Sequence, residues 1–514
     1  MPGKMRYPSS GEMQDSSVDK RQDPSSGEMP EPSTGIPAQP SSDMFAHRLF
    51  DSYDRYRERA LYHRRFKYQD IVPLLHEIGE HPEVDLIREG KSTGGRTIYR
   101  IRMGSGDTSV LLWSQMHGDE PTATMALFDL FRFLTARDEH DEWRNAILRN
   151  VTIHAVPMLN PDAADLFQRH TPLGIDMNRD ALQRQCPESR LLKRIRHDLN
   201  ADFGFNLHDQ STRYSVGETS KSTVIAFLAP AYNAERSVNP VRKRSMQVIA
   251  GLSDMLQAFI PGHVATYSDE YEPRAFGDQI QKWGTSAILV ESGGMKDDPE
   301  KQGIRKLNYV LLLEALRSIA TADYESCPVD RYEAIPPNRF RLYDTILRNV
   351  TLHSGDRKFV VDIGMNRIEC NTEGALDYYE RGEITEVGDL SGCNGYDERD
   401  MTGLRGVAGA VSPEAVTAAA ELDRTRAVDL LRLGFTAVRV EGLPEKPYTG
   451  FPLNIVGNMK SRQSGTLPES PANLVLYDGD EPVYVVINGN LVDVRPEADI
   501  PGQLEHIRNA LVFH

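Results

Sequence analysis

Between about residue 83 and residue 320, short apolar runs alternate with longer amphipathic ones. No other feature of the 514-residue chain restricts its fold as much. The strand-like runs are Val110–Gln115, Val151–Pro157, Phe203–His208, Val224–Leu228 and Ala287–Glu291. Helix-like stretches separate them. In 121–136, Ala123, Ala126, Leu127, Leu130, Phe131 and Leu134 form one apolar stripe. Segments 241–260 and 300–322 are also helical by pattern, and 44–62 carries Phe45, Leu49, Tyr53 and Tyr56 at helical spacing. Strands alternating with helices predict an α/β domain with a largely parallel or mixed sheet. Ligands in such domains collect at the carboxyl ends of strands. His117, His208 and Glu291 each sit at or just past such an end.

The flanks read differently. Residues 1–43 are rich in Ser, Pro, Gly, Glu and Asp, and PSSGEM occurs twice, at Pro8–Met13 and Pro24–Met29. Such a segment buries too little apolar surface to offset its chain entropy, so a disordered tail is expected. After Cys327-Pro328 the texture becomes β-rich, with runs at Asp344–Leu352, Lys358–Ile363, Asn473–Tyr477 and Pro482–Ile487. Segment 335–345, with Pro336 and Pro337, reads as a linker, and 413–433 as a helix. The expected division is therefore 1–43 tail, 44–328 α/β domain and 338–514 β-rich domain.

Net charge is −16, which argues against nucleic acid as a partner, since phosphate binding needs a basic surface. The four cysteines are scattered and form no Cys-x-x-Cys pair, so neither a disulfide framework nor a cysteine zinc site is expected. No apolar run approaches the ~20 residues of a membrane span, and no apolar leader follows Met1. A cytoplasmic protein without a membrane partner is the expectation. Its oligomeric state is not readable.

His117-Gly118-Asp119-Glu120 follows the first strand-like run. A neutral imidazole and a carboxylate three residues apart can converge on one metal ion. Alone, such a pair reads as a solvated turn at the end of a buried strand. A hydrolytic zinc needs a third protein ligand and an open position for water. His208, closing Phe205-Asn206-Leu207-His208, is the best candidate. The attacking water also needs a proton acceptor. Glu291 ends Ser286-Ala287-Ile288-Leu289-Val290-Glu291 beside Gly293 and Gly294. That partly desolvated setting raises a carboxyl pKa toward the working range. Arg169 and Arg179 fall in the loop-rich stretch between the second and third runs, and a guanidinium can grip a carboxylate or stabilise an oxyanion.

Taken in order, His117/Glu120, Asn160-Pro161-Asp162, Arg169, Asn178-Arg179, His208 and Glu291 resemble the zinc carboxypeptidase family, the carboxypeptidase A-like metallopeptidases, over residues 65–325. The resemblance implies a three-layer α/β/α carboxypeptidase-like domain with a mixed central sheet. It implies one Zn2+ held by His117, Glu120 and His208, and a substrate carboxylate bound by Asn178 and Arg179. Arg169 would polarise the scissile carbonyl, and Glu291 would serve as general base and then as proton donor. The family's mobile-loop tyrosine would be Tyr271, with Tyr267 as the other choice, and Asp278 would lie near the pocket for the C-terminal side chain. Three departures stand out: Asp119 replaces a basic residue common in secreted members, Ala163 follows Asn-Pro-Asp where glycine is common, and no pro-segment is evident. The last points to the soluble bacterial branch.

Within the β-rich part, Tyr343–Thr351 with Val361–Gly364, and Ala472–Gly479 with Val485–Gly489, resemble the opening and closing strands of the amidohydrolase composite β-domain. The interval between them is too short for a barrel of about 250 residues. A sandwich-like remnant without catalysis of its own is expected. The functional expectation is a zinc metallocarboxypeptidase acting on a peptide or acyl-amino-acid substrate with a free carboxylate. Its alternatives are a zinc amidase acting on N-acyl amino acids or cell-wall peptides, and an inactive binding module.

Overall fold

The computed structural model of the chain describes residues 42–418, 423–457 and 464–514. Of the expected tail only Ser42 and Asp43 fall in that range, opening the helix Ser42–Ser52; the rest lies outside the described residues.

The apolar runs become strands. In chain order these are β1 (Val84–Lys91), β2 (Thr97–Met103), β3 (Thr108–Ser114), β4 (Val151–Val156), β5 (Phe203–Asp209), β6 (Tyr214–Val216), β7 (Ile225–Leu228), β8 (Val264–Thr266) and β9 (Ser286–Ser292). All but β6 join one sheet in the order β1-β2-β4-β3-β5-β9-β7-β8. Neighbours among the central strands β4, β3, β5 and β9 run parallel, and antiparallel pairs flank them, so the sheet is mixed.

Successive side chains of β3 point to opposite faces. Val110 and Leu112 enter one core with residues of the helices Thr122–Thr135, Pro240–Leu256 and Gln302–Thr321. Leu111 and Trp113 enter a smaller core with residues of the helices Pro187–Leu199 and Phe276–Lys282. Both faces are covered, which is why these strands read as continuous apolar runs rather than alternating ones. In the larger core Arg305 donates to both carboxylate oxygens of Asp129, at 2.5 and 2.7 Å, and Tyr53 also donates to Asp129. The buried charges are thereby paired and hydrogen-bonded, the condition under which burial is tolerable.

Beyond the helix Val329–Glu333 two expectations fail. Segment 335–345 is not a free linker. Asn338–Phe340 pairs antiparallel with β6, because a short strand edge is open there to take another backbone. Segment 413–433 is not one helix. Its first part belongs to the strand Ala410–Ala418, residues 419–422 lie outside the described residues, and only Arg424–Arg432 is helical. Pro413 opposes a helix interior, and Val416 packs with Val438, Val440, Ile455 and Val512.

Leu342–Ser354, Arg357–Asn371 and Tyr378–Gly388 form an antiparallel meander. Arg405–Ala408 joins the first of these to Leu474–Asp478, which continues through Glu481–Ile487 to Asn490–Asp493. The two segments read as opening and closing strands thus share one sheet with a single strand between them. A second sheet holds Ala410–Ala418, Phe435–Gly442, Asn454–Val456, Ala510–Phe513 and Tyr448–Thr449.

Ser42–His514 forms one unit. The β-rich part is fastened to the α/β part by polar contacts. Lys67 Nζ donates to Ala375 O (2.8 Å), Arg213 pairs with Asp344 (3.2 Å), and the Tyr396 hydroxyl donates to Thr212 O (2.6 Å). Among the described residues no helix is long and apolar enough to cross a membrane.

Candidate metal centre

Past the end of β3 the chain turns through Gln115, whose φ is 45°. Gln115 Nε2 donates to Gly118 O, and Gly118 N–H donates to Gln168 O. Gly118 lies so close to the Ala163 backbone that a Cβ there would overlap its carbonyl, so only glycine fits. Asn160 caps the helix Pro161–Leu166 by accepting from Ala163 N–H, and its Nδ2 donates to Met116 O. Asp162 accepts from Ser92 Oγ, Gly94 N–H and Arg96. The Asn-Pro-Asp residues therefore build the floor under the His117 loop, and the polar partners of Asn160 and Asp162 lie elsewhere than on the candidate metal ligands.

This scaffolding turns His117 and Glu120 toward the end of β5. One Glu120 oxygen lies 2.7 Å from His117 Nδ1 and the other 2.6 Å from His208 Nδ1. The three candidate ligand atoms lie within 4.8 Å of one another, and all three residues are buried. Burial alone would raise the Glu120 carboxyl, but the two imidazoles outweigh it and hold the group far below the usual range. Burial would likewise lower His117, yet Glu120 and Asp176 hold it up at about 9. Burial pushes His208 down. Two imidazole nitrogens and one carboxylate oxygen, buried and convergent, are a zinc-type donor set. The set fits a metal in a second respect. His117 Nε2 is 3.1 Å from Asp176 Oδ1, which fixes the ring and leaves Nδ1 to face the other two donors.

Asp176 was not anticipated from sequence. It also accepts from Arg169 Nε and Nη2 at 3.2 and 3.1 Å, and from Asn178 N–H as the cap of the turn Met177–Arg179. Its one sequence signal is its place two residues before Asn178-Arg179. Arg169 is brought to the cluster, with Nη1 3.2 Å from His117 Nδ1 and 3.3 Å from Glu120 Oε1. Asn178 accepts from Phe276 N–H (2.9 Å), and Arg179 Nε lies 3.6 Å from Glu272. These two therefore face the 267–275 loop, to one side of the donor set.

Glu291 follows from strand register. β5 and β9 run parallel with His208 opposite Glu291, so the two side chains leave the same end of the sheet on the same face. Glu291 Oε2 is buried and has no hydrogen-bond partner among the described residues. Burial first, and the negative charge of Glu120 second, push its pKa well above the ordinary carboxylate value.

Tyr267 stands near Glu291. Burial is the main cause that raises its phenol, Tyr214 and Glu291 add to the rise, and its hydroxyl lies 3.4 Å from that of Tyr214. Tyr271 is half-buried on the same loop, and none of the contacts of the donor set involves it. Asp278 is buried in the first turn of Phe276–Lys282, accepts from Glu272 N–H, and is pushed up to about 7 by burial.

Residues 71–251 match the family model for zinc carboxypeptidases. That span holds His117, Glu120, Arg169, Asn178, Arg179 and His208, and stops short of Glu291. The chain is 28% identical over 97 residues to Carboxypeptidase SOL1 of Arabidopsis thaliana, covering 18% of this chain and 20% of that protein. It is 24% identical over 159 residues to Carboxypeptidase 2 of Trichophyton rubrum, covering 29% of each. The matches thus span a fifth to under a third of those relatives' length. Among solved structures, the metallo-carboxypeptidase from Burkholderia cenocepacia aligns with a TM-score of 0.41 at 15% identity, covering 50% of this chain and 70% of that one. Carboxypeptidase A from Helicoverpa armigera aligns with a TM-score of 0.41 at 14% identity, covering 54% and 81%. Over residues 71–251, the segment that carries the whole donor set, the chain is similar to the zinc carboxypeptidase family.

Proposed function

We propose that the chain is a zinc-dependent carboxypeptidase that hydrolyses the last peptide bond of a substrate with a free carboxylate. The observation that carries this reading is the convergence of His117, Glu120 and His208 beside a buried, unpartnered Glu291 oxygen. His117, Glu120 and His208 would hold the ion. Bound there, zinc supplies Lewis acidity and acidifies water.

The remaining chemistry belongs to the chain. Glu291, its proton affinity raised by burial, takes the proton of the attacking water and returns it to the leaving amine. Arg169 keeps part of its guanidinium exposed while Asp176 holds it, so it can donate to the developing oxyanion. Asn178 and Arg179 grip the terminal carboxylate; the Glu272 carboxylate 3.6 Å from Arg179 marks the position an anion can take there. The loop tyrosine role is assigned to Tyr271, with Tyr267 as the competitor whose surroundings include Glu291.

The carboxylate requirement gives a direct test. Peptides with a free C-terminus should be cleaved, and the same peptides amidated should lose at least about 100-fold in kcat/KM. Equal cleavage of the amidated set would contradict the reading.

A further inference from the structure

A cleft of about 650 Å³ opens directly from the donor set, within the size range of small-molecule sites. Asp119, Glu120 and Arg169 line one side, and Arg367, Ile368 and Glu369 of the β-rich part line the other. Asn178 and Arg179 do not line it. This inference rests on the proposed carboxypeptidase reading. With the substrate carboxylate at Arg179 and the scissile carbonyl at Arg169, whatever precedes the cleaved bond extends into this cleft.

The far side is firmly attached. Arg64 and Arg65 donate to the two oxygens of Glu369 at 2.6 and 2.8 Å. The Arg65 guanidinium also lies between two rings, 4.1 Å from Phe167 and 4.2 Å from Tyr378. Asn371 Nδ2 donates to Phe167 O at 3.0 Å. Phe167 is two residues from Arg169, so the loop that presents Arg169 is the loop the β-rich part grips. Arg65 is only 3% exposed and Arg64 8%, so both guanidinium groups are held in place by the packing around them, while the Glu369 side chain that they grip stays about a third (35%) exposed at the cleft.

We propose that the β-rich part is the far wall of the substrate cleft and limits, by length, what can lie on the amino side of the cleaved bond. Short peptides fit between Asp119 and Arg367. Longer ones meet the strand that carries Arg367, Ile368 and Glu369.

The full-length zinc-loaded chain is assayed on peptides sharing one C-terminal residue and a free amino end, of two, three, four, six and eight residues. The expected kcat/KM is highest for the shortest members and falls at least about tenfold by six residues. Arg367→Ala trims the wall without touching the Glu369 clamp, and Ile368→Ala is the second variant should the first fold poorly. Either should raise kcat/KM for the six-residue peptide at least about threefold while leaving the two-residue peptide within about twofold. A wild-type profile that is flat or rises with length overturns the wall alone, as do variants that shift every length together. No hydrolysis of any member overturns the carboxypeptidase reading and the wall with it.

Discussion

Zinc affinity in a site of this kind depends on how firmly each imidazole is aimed, and Asp176 aims His117 through a 3.1 Å contact with Nε2. Asp176→Ala should weaken zinc binding by about 10- to 100-fold, read by chelator competition, with Asp176→Asn recovering part of the loss. Unchanged affinity in the alanine variant would show that His117 is oriented by something else. The aspartate was invisible in the sequence for a physical reason. It ends no apolar run, and it meets His117 only because the 167–179 loop folds back over the centre. His117, Glu120, His208 and Glu291 were legible because each stands at or just past the end of a run that two covering layers force to be apolar. The pairing of Asn178 with Arg179 as a carboxylate grip follows from the resemblance; the residues themselves offer only a loop guanidinium able to hold an anion, as Arg169 does equally.

At the scale of elements, the donor set depends on how the His117 loop packs on the helix Pro161–Leu166. Gly118 has the Ala163 carbonyl where a Cβ would go. Gly118→Ala must push loop and helix apart, which should cost about 1–3 kcal/mol in unfolding free energy. Because the shift falls between His117 and Glu120, zinc content should drop as well. Wild-type stability and full zinc content together would contradict the packing described here. The central strands could be read from composition, whereas β1 and β2 could not. Val84–Lys91 is the edge strand and Thr97–Met103 lies between it and β4; both carry charged residues, and their pairing is set by their neighbours rather than by their own residues. The strand Ala410–Ala418 failed in the opposite direction. Its alanines suit a helix locally, and parallel pairing with Phe435–Gly442 overrides that preference.

At the scale of the whole molecule, the ends of parallel strands gather His117, Glu120, His208 and Glu291, and the β-rich part lines the opposite side of the cleft. The sequence announced both parts. It hid their contact, because Arg64, Arg65 and Glu369 are some 300 positions apart and each reads singly as a surface charge. The proposed function requires one buried centre that combines a metal held by His117, Glu120 and His208 with a separate proton carrier, Glu291. The most direct measurement follows zinc content and peptide turnover in parallel on the full-length chain and on Glu291→Gln. Both should hold about one zinc per chain, and the variant should lose about 100- to 10,000-fold in kcat. Turnover at the wild-type rate by zinc-loaded Glu291→Gln, or undiminished turnover by wild-type protein stripped of zinc, would contradict it.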